Sequence, residues 1–437
     1  MKNVAVVMYQ TSNSKGQELV AQRMVKWFRR HGIKAWLVTS VYHDGKKVVN
    51  LGKDKYMLLP KDPYSKVPTV RVAGYKCKWP PRRVMIQGLT EVMNALYDEL
   101  GIQAVVTHST IWNGPEEVAK WVMWRKLYAV ASGDATPPVY AHMSHYQPPD
   151  PLRYSDFERT YRISWNTLAL PQVFEAADMI LCVTPIEAEE MVYMGAPPTK
   201  IHIYPGGLDD DVAALIDRAK PDLIIEKYGL PKDKYLVTYL GTVEKRKNPL
   251  AVVRVAAKLK DRSDLAFVIA GKPSSQYDEV VRESKKLDNL YVLGELSEEE
   301  KASLIKASHI NIIMSRMEAL GLTQIEFMYA GVPVVTSAVY GQRWVVRNFI
   351  EGLHVDGPDD IDGAAKAIEM LLHDEDLYLS LSENARARAK SFLISKLTKS
   401  LIERMKAIYE THNKVKELGV ARVWRPPLRS SREGTKQ

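Results

Sequence analysis

The stretch MEALGLTQIEFMYAGVPVVTS, residues 317–337, sets two carboxylates, Glu318 and Glu326, on either side of a Gly-Leu-Thr turn. Gly331 suits the left-handed residue that follows a helix, and Pro333 opens an apolar run suited to a buried parallel strand. The spacing predicts a helix of roughly ten residues beginning near Gly321. Glu318 then lies in the loop before the helix, and Glu326 lies about one turn inside it. The first amides of such a helix, those of Gly321, Leu322 and Thr323, have no intrahelical partner. They attract an anion, whereas two fixed carboxylates beside them repel one. One ligand satisfies both when its uncharged hydroxyls meet the carboxylates and its anionic part meets the amides. A sugar nucleotide has that build.

Other chemistry-bearing residues are fewer. His108, His142 and His145 fall at the ends of two expected strands. The pair in HMSH invites a zinc reading, but residues three apart on an extended strand point to opposite faces, and no metal site is expected. Cys77 and Cys182 are too few for a disulfide framework and lack zinc spacing, so a reducing, cytoplasmic setting is the simpler inference.

The elements that must position these residues alternate. Strand-like runs and helical patterns follow one another along the chain, which argues for parallel sheets with helices on both faces. NVAVVM (3–8) leads through YQTSNSKG into a helix near 17–31, and KAWLVT (34–39) follows. Residues 42–83 break the rhythm with many Lys, Pro and Tyr and read as an excursion from the first sheet. HIYPGGLDDD (202–211) resembles a hinge, after which YLVTYLG (235–241), LAFVIAG (265–271), LYVLG (290–294), HINIIM (309–314) and VPVVTS (332–337) form a second strand series. The division expected is 1–208, 209–395 and a C-terminal helix with basic tail over 396–437. In the helix near 116–131, Trp121, Trp124 and Tyr128 interleave with Lys120, Arg125 and Lys126. Packing of these rings against the sheet is the favoured reading, with docking on a membrane surface as the alternative.

With 437 residues, 46% hydrophobic and 26% charged, the chain is an ordinary globular protein of two domains. No stretch reaches the roughly eighteen apolar residues of a membrane span, and the six-residue apolar start is too short for a secretory core. The net charge of +9 is concentrated. Residues 42–83 hold eleven Lys or Arg against three Asp, and residues 412–437 hold seven against two Glu. Solvated basic segments account for this, as does contact with anionic lipid or a phosphorylated acceptor at the inner membrane face. Nucleic acid is disfavoured, because no binding module accompanies the charge. Abundant Val, Tyr and Pro with few Cys hint at a thermophilic source. Oligomeric state is not readable.

EALGLTQIEFMYAGVPVV resembles the signature of the family 4 retaining glycosyltransferases, and YLGTVEKRKNP (239–249) is similar to that family's phosphate-binding loop. LDNLYVLGELSEEEKASLIKAS resembles the strand and helix leading to its catalytic loop. The likeness runs from about 177 to 410, in register; before 177 it is one of layout only. It implies a GT-B fold, two Rossmann-like doubly wound parallel-sheet domains facing across a cleft. The implied activity is metal-independent retaining transfer of a hexose-type sugar from a UDP-, GDP- or ADP-sugar, by a front-face mechanism, to a sugar, lipid-linked or small-molecule acceptor. No cofactor is implied, since the nucleotide sugar is a substrate. By the same resemblance Glu326 accepts from the ribose diol, and Glu318 contacts the transferred sugar near its developing positive charge. Arg246 and Lys247 meet the diphosphate, while Gly241, Thr242, Gly321, Leu322 and Thr323 line the donor. His145, preferred to His142, contacts donor sugar or acceptor, although a structural role fits it equally. Only Gly16 remains where the family has paired glycines near the donor phosphates. Many members carry Arg where this chain has Thr242, so Arg246 is expected to supply that guanidinium.

Two alternatives share these features: a nucleotide-sugar epimerase of the same fold and a non-catalytic sugar-nucleotide-binding protein. A nicotinamide oxidoreductase is disfavoured, because neither MYQTSNSKGQ nor LGTVEKRKN supplies the glycine triad that lets backbone approach a pyrophosphate.

Overall fold

A computed structural model describes the chain apart from residues 14–15, 79–82, 133–134, 147–154 and 418–437. It divides into two compact units: residues 1–181, 191–202 and 398–437 form the first, and residues 182–190 and 203–397 the second. Most of the expected basic tail, 418–437, lies outside the described residues.

The first unit is built on an eight-stranded sheet whose spatial order is Ile201–Ile203, Met179–Cys182, Val139–Met143, Ala104–His108, Asn3–Met8, Lys34–Ser40, Thr69–Val72 and Tyr56–Leu59. The first strand in the chain, Asn3–Met8, pairs in parallel with Lys34–Ser40 on one side and Ala104–His108 on the other. Chain order therefore reverses between Asn3–Met8 and Ala104–His108. That reversal is the switch point of a doubly wound sheet, where loops leaving adjacent strands diverge and open a crevice. Near-continuous burial along these strands is what two helical layers demand.

Part of the 42–83 excursion joins this sheet. Thr69–Val72 pairs in parallel with Lys34–Ser40, and Tyr56–Leu59 closes the edge antiparallel to it. Arg71, in Thr69–Val72, is fully buried, held by Asp62 at 2.7 Å and 2.9 Å. Burial alone would raise the Asp62 carboxyl. The Arg71 guanidinium and the amides of Ser65 and Tyr64 outweigh that and hold it below the usual carboxylate range.

In the second unit all six strands are parallel, in the order Leu290–Gly294, Leu265–Ala270, Tyr235–Leu240, Ile310–Ile313, Val334–Thr336 and Gly352–His354. Numbered along the chain this is 3-2-1-4-5-6, with the switch point between Tyr235–Leu240 and Ile310–Ile313. Alternation along one strand shows both faces covered. Leu265, Phe267 and Ile269 enter one apolar cluster and Ala266, Val268 and Ala270 the other. The strand Gly352–His354 is too short and too polar to announce itself.

The expected hinge carries Gly206 at φ 71° and Gly207 at φ 61°. Gly207 is also hemmed in, since a Cβ there would lie 2.3 Å from the Phe392 carbonyl oxygen. The helical pattern of 376–411 is two helices, Glu375–Ala389 and Ile394–Glu417, broken at the buried Phe392. Of the aromatic residues on Gly114–Ser132, Trp121 packs inward as expected, whereas Trp124 and Tyr128 are exposed. Packing against the sheet thus accounts for one ring of the three.

Candidate functional site

The two loops that carry the expected donor residues leave the C-terminal ends of the strands flanking the second switch point. Residues 241–248 follow Tyr235–Leu240, and residues 314–321 follow Ile310–Ile313. At the first strand the chain turns through Gly241 and Thr242, whose carbonyl accepts from the buried Tyr239 hydroxyl at 2.9 Å. It then enters a short 3₁₀ turn, Lys245–Lys247, stopped by Asn248 at φ 51°. Asn248 is buried, and its side-chain amide donates to the Pro358 carbonyl at 2.6 Å. That anchor fixes where Arg246 and Lys247 emerge.

The close approach that needs a glycine lies not at Gly241 but at Gly271. There φ is +138°, and a Cβ would sit 2.0 Å from the Gly241 carbonyl oxygen. Sequence reasoning passed over Gly271, although a glycine directly after the buried run LAFVIA was the available signal. Gly341 was missed as well. Its amide donates to the Glu318 carbonyl at 3.1 Å, and a Cβ on it would lie 1.7 Å from the Ala319 carbonyl oxygen.

Glu318 is where the loops meet. The Lys247 ammonium is ion-paired to its carboxylate, and Arg246 Nη1 lies 3.7 Å from the same oxygen. Arg246 Nη1 also donates to the Met317 carbonyl at 3.0 Å, and the Arg316 amide donates to the Arg246 carbonyl at 2.8 Å. Arg316 is itself held by a two-pronged pair with Asp359, 2.7 Å on each side. Arg246 Nη2 also donates to Glu244 Oε1 at 2.6 Å, so two cations and two carboxylates share a partly buried corner.

The helix spans Leu322–Ala330, with Gly321 at φ 78° before it and Gly331 at φ 82° after it. Gly331 and Val332 donate back to Met328 and Phe327, which closes the C-terminus in the way the sequence implied. No side chain caps the N-terminus, so the amides that open the helix at Leu322 and Thr323 keep their polarity for another partner. Gln324, fully buried, supports Gly321 from beneath by donating to the Leu320 carbonyl at 2.7 Å.

Glu326 is 4% exposed. Its Oε1 lies 3.4 Å from the Lys301 ammonium, and its Oε2 has no hydrogen-bond partner among the described residues. A buried carboxylate oxygen left unpaired calls for an explanation, and a ligand hydroxyl supplies one.

Gly16 and His145 belong to the first unit. Gly16 opens the helix Gly16–Arg30 with open space around it, so neither crowding nor a positive φ requires glycine there. His145, at φ 44°, is buried with its Nε2 3.1 Å from His108 Nδ1, so one ring donates to the other. His142 is turned to a different partner, Thr107 Oγ1 at 2.9 Å. Burial pushes His142 down to about 3; burial first, then the nearness of His142 and Arg83, pushes His145 down to about 3. His108 is held well below the usual range by burial and by the other two rings. All three are neutral at pH 7.

Of the two loops at this unit's switch point, the one after Ala104–His108 was not singled out from sequence. Ser109 and Ile111 both have positive φ, and for a β-branched residue that is uncommon. Arg83 donates to Ser109 Oγ at 2.6 Å and stacks 5.2 Å above Tyr9, whose hydroxyl donates to the buried Glu18 at 2.8 Å. The excursion clamps the loop after Asn3–Met8. Arg71 donates to Thr11 Oγ1 at 3.1 Å, His43 lies 2.9 Å from the same hydroxyl, and Ser12 donates to Asp44 at 2.6 Å. Side chains from the excursion therefore shape the loop in which family members carry glycines. Among the described residues no group of three His, Cys, Asp or Glu side chains is disposed to hold a metal ion.

Strand order and loop placement define the class: an α/β protein with two doubly wound sheets, the second carrying a corner of paired charges beside an uncapped helix start. Comparison with solved structures agrees. The chain is similar to sucrose-phosphate synthase from Thermosynechococcus elongatus, with TM-score 0.68 and 17% identity over 94% of this chain and 100% of that one. It is similar to Anabaena HepE in complex with UDP, with TM-score 0.67 and 13% identity over 93% and 100%. The fold is GT-B.

Residues 221–388 match the family model described as glycosyl transferases group 1. Among curated relatives, the D-inositol 3-phosphate glycosyltransferase of Salinispora arenicola is 28% identical over 53% of this chain and 55% of its own length. That of Mycolicibacterium smegmatis is 32% identical over 46% of each chain. The chain spans about half the length of the curated relatives it matches.

Proposed function

We propose that the protein is a retaining glycosyltransferase whose second unit binds a nucleotide-sugar donor. The observation that carries this reading is the unpaired, buried Oε2 of Glu326, one turn into an uncapped helix beside a switch point. A ribose diol offers two adjacent hydroxyl donors to such a carboxylate, and the amides opening the helix suit the diphosphate. Arg246 and Lys247 supply positive charge for the leaving diphosphate without calling on a metal. Glu318 then faces the anomeric carbon, where it stabilises oxocarbenium character.

In a front-face transfer the bond from C1 to the diphosphate oxygen breaks and the bond from C1 to the acceptor oxygen forms on the same side. The acceptor proton passes to the departing phosphate oxygen, which ends as the free nucleotide diphosphate. The neutral His108–His145 pair of the first unit is assigned to the acceptor side, where an uncharged ring nitrogen can accept from a hydroxyl. Anabaena HepE, of similar fold, has been solved with UDP and with UDP-glucose, and the curated relatives are D-inositol 3-phosphate glycosyltransferases. UDP-glucose and that acceptor are accordingly the first pair to try.

A thermal-shift panel of UDP-, GDP- and ADP-sugars reports donor choice, because a ligand that binds only the folded state raises Tm. Release of nucleotide that depends on acceptor supports transfer. Conversion of the donor sugar without release identifies an epimerase, and stabilisation without turnover a binding protein; either result overturns the proposal.

A further inference from the structure

Glu116 stands in the first turn of the helix Gly114–Ser132, and its Oε2 is buried without a hydrogen-bond partner. Two more such atoms, Asn166 Oδ1 and Arg159 Nε, belong to the neighbouring helix Asp156–Ala176. Asn166 is 6% exposed, and a spacing of seven residues, close to two turns, sets it on the same side of that helix as Arg159. Asp156 holds Arg159 by Nη1 at 3.1 Å, which leaves Nε to another partner. The two helices pack on each other, and the Trp165 indole N–H bonds the Glu116 carboxylate, so the three atoms share one corner. Tyr140 lies near Glu116, but its hydroxyl donates to the Pro115 carbonyl at 3.1 Å. Both helices follow strands of the first sheet, Ala104–His108 and Val139–Met143, and start at their C-terminal edge. That edge also carries the His108–His145 pair.

Buried polar atoms without partners call for a ligand, and their types select which one. Glu116 Oε2 and Asn166 Oδ1 accept, so the occupant must donate; Arg159 Nε donates, so the occupant must also accept. A phosphate is chiefly an acceptor, and an ammonium donates without accepting. A hydroxyl does both. Beside these atoms the rings of Tyr161 and Trp165, four residues apart on the helix and 5.8 Å between centroids, are each partly exposed. Such rings receive the apolar C–H face of a sugar, while carboxylate, amide and guanidinium take the hydroxyls at its edge. We propose that this corner of the first unit is a saccharide subsite, in which Glu116, Arg159 and Asn166 bond ring hydroxyls and Tyr161 and Trp165 carry the ring. Naming the bound sugar as the acceptor rests on the glycosyltransferase reading above; the subsite itself does not. The acceptor is then recognised through the hydroxyls of a neutral sugar ring.

The test is saturation-transfer difference NMR of the full chain with methyl glycosides and disaccharides of glucose, mannose and galactose, and with inorganic phosphate as competitor. At least one glycoside is expected to take up saturation at its ring C–H protons, and inorganic phosphate should not displace it. Glu116→Gln keeps the shape and replaces a charged acceptor, so affinity for that glycoside should fall at least about tenfold. Trp165→Ala should abolish the signal. Because Trp165→Ala could disturb the helix packing, Cys77 gives a reading on the unaltered protein. It lies near Tyr161, and the other cysteine, Cys182, is buried, so the bound glycoside should slow alkylation of Cys77 by N-ethylmaleimide. Equal affinity in parent and Glu116→Gln, no glycoside bound, or displacement by inorganic phosphate overturns the proposal. Donor binding separates this from the function proposed above. A thermal shift with a UDP-sugar in a protein that binds no glycoside sinks the subsite alone. Glycoside binding that Glu116→Gln weakens, in a protein that no nucleotide sugar stabilises, supports the subsite and sinks the donor assignment.

Discussion

Glu318 and Glu326 carry the same charge in different company. Glu318 is held by Lys247 and Arg246, so its charge is compensated before any ligand arrives. Glu326 keeps one oxygen unpaired. Removing the Glu326 carboxylate should therefore act mainly on affinity. Glu326→Ala is expected to weaken nucleotide-sugar binding by about 10–100-fold, the worth of one or two hydrogen bonds to a charged acceptor, as read by calorimetric titration. Glu318→Gln keeps the shape and removes the charge, so kcat should fall by about 10²–10³ with donor affinity changed less than about threefold. The reverse pattern, affinity lost at Glu318 and turnover lost at Glu326, would exchange the two roles.

Elements place those side chains through contacts of backbone on backbone. Gly341 has an ordinary φ of −65°, so its need for glycine is purely one of space beneath the 318–320 loop. Gly341→Ala should shift that loop and reduce turnover, at a cost in stability of about 1–3 kcal/mol. Gly271 is both crowded and left-handed, so Gly271→Ala should destabilise more than Gly341→Ala, as denaturant unfolding would show. In the first unit the Arg71–Asp62 pair ties the excursion to the loop at Thr11. Asp62→Asn leaves a buried guanidinium without its counter-charge and is expected to cost about 3–5 kcal/mol in urea unfolding.

For the whole molecule, the two units should answer different perturbations. The three buried imidazoles all lie in the first unit, and their folded pKa values are below the unfolded value of about 6.5. Between those values the unfolded chain binds more protons, so stability is full above about pH 6.5 and is lost as pH falls toward 3. His142 and His145, each pushed down to about 3, contribute a loss of about 2 kcal/mol apiece by pH 5, and His108 acts in the same direction. Glu116, raised to about 7 mainly by burial, and Glu117, raised by the same cause, work against this, since their burial cost is relieved on acidification; the three imidazoles outweigh the two carboxyls. Calorimetry at pH 7.5 and 5 should lower the first unit's transition, and His142→Asn should flatten that dependence by about one proton. A donor nucleotide should raise the second unit's transition instead. A donor that stabilised only the acid-sensitive transition would contradict the assignment of the donor to the second unit.

The second sheet was legible because its strands are buried on both faces and read as unbroken apolar runs, and because Gly331 and Pro333 punctuate the site helix. Residues 317–331 announce their own local shape, so the loop, the helix start and the places of Glu318 and Glu326 follow from chain-local preferences. What lies opposite each side chain does not. Lys247 reaching Glu318 spans 71 positions and Lys301 meeting Glu326 spans 25, and such pairings exist only once strands order themselves 3-2-1-4-5-6. Arg71 shows the same limit from the other side. A charge in a strand reads as surface until tertiary structure brings Asp62 to it, because desolvation is tolerated only with a partner and the partner is not encoded nearby. The exposed faces of Trp124 and Tyr128 were decided likewise. Sequence specified that aromatic and basic residues interleave along the helix, and only packing determined which of the rings the first unit covers.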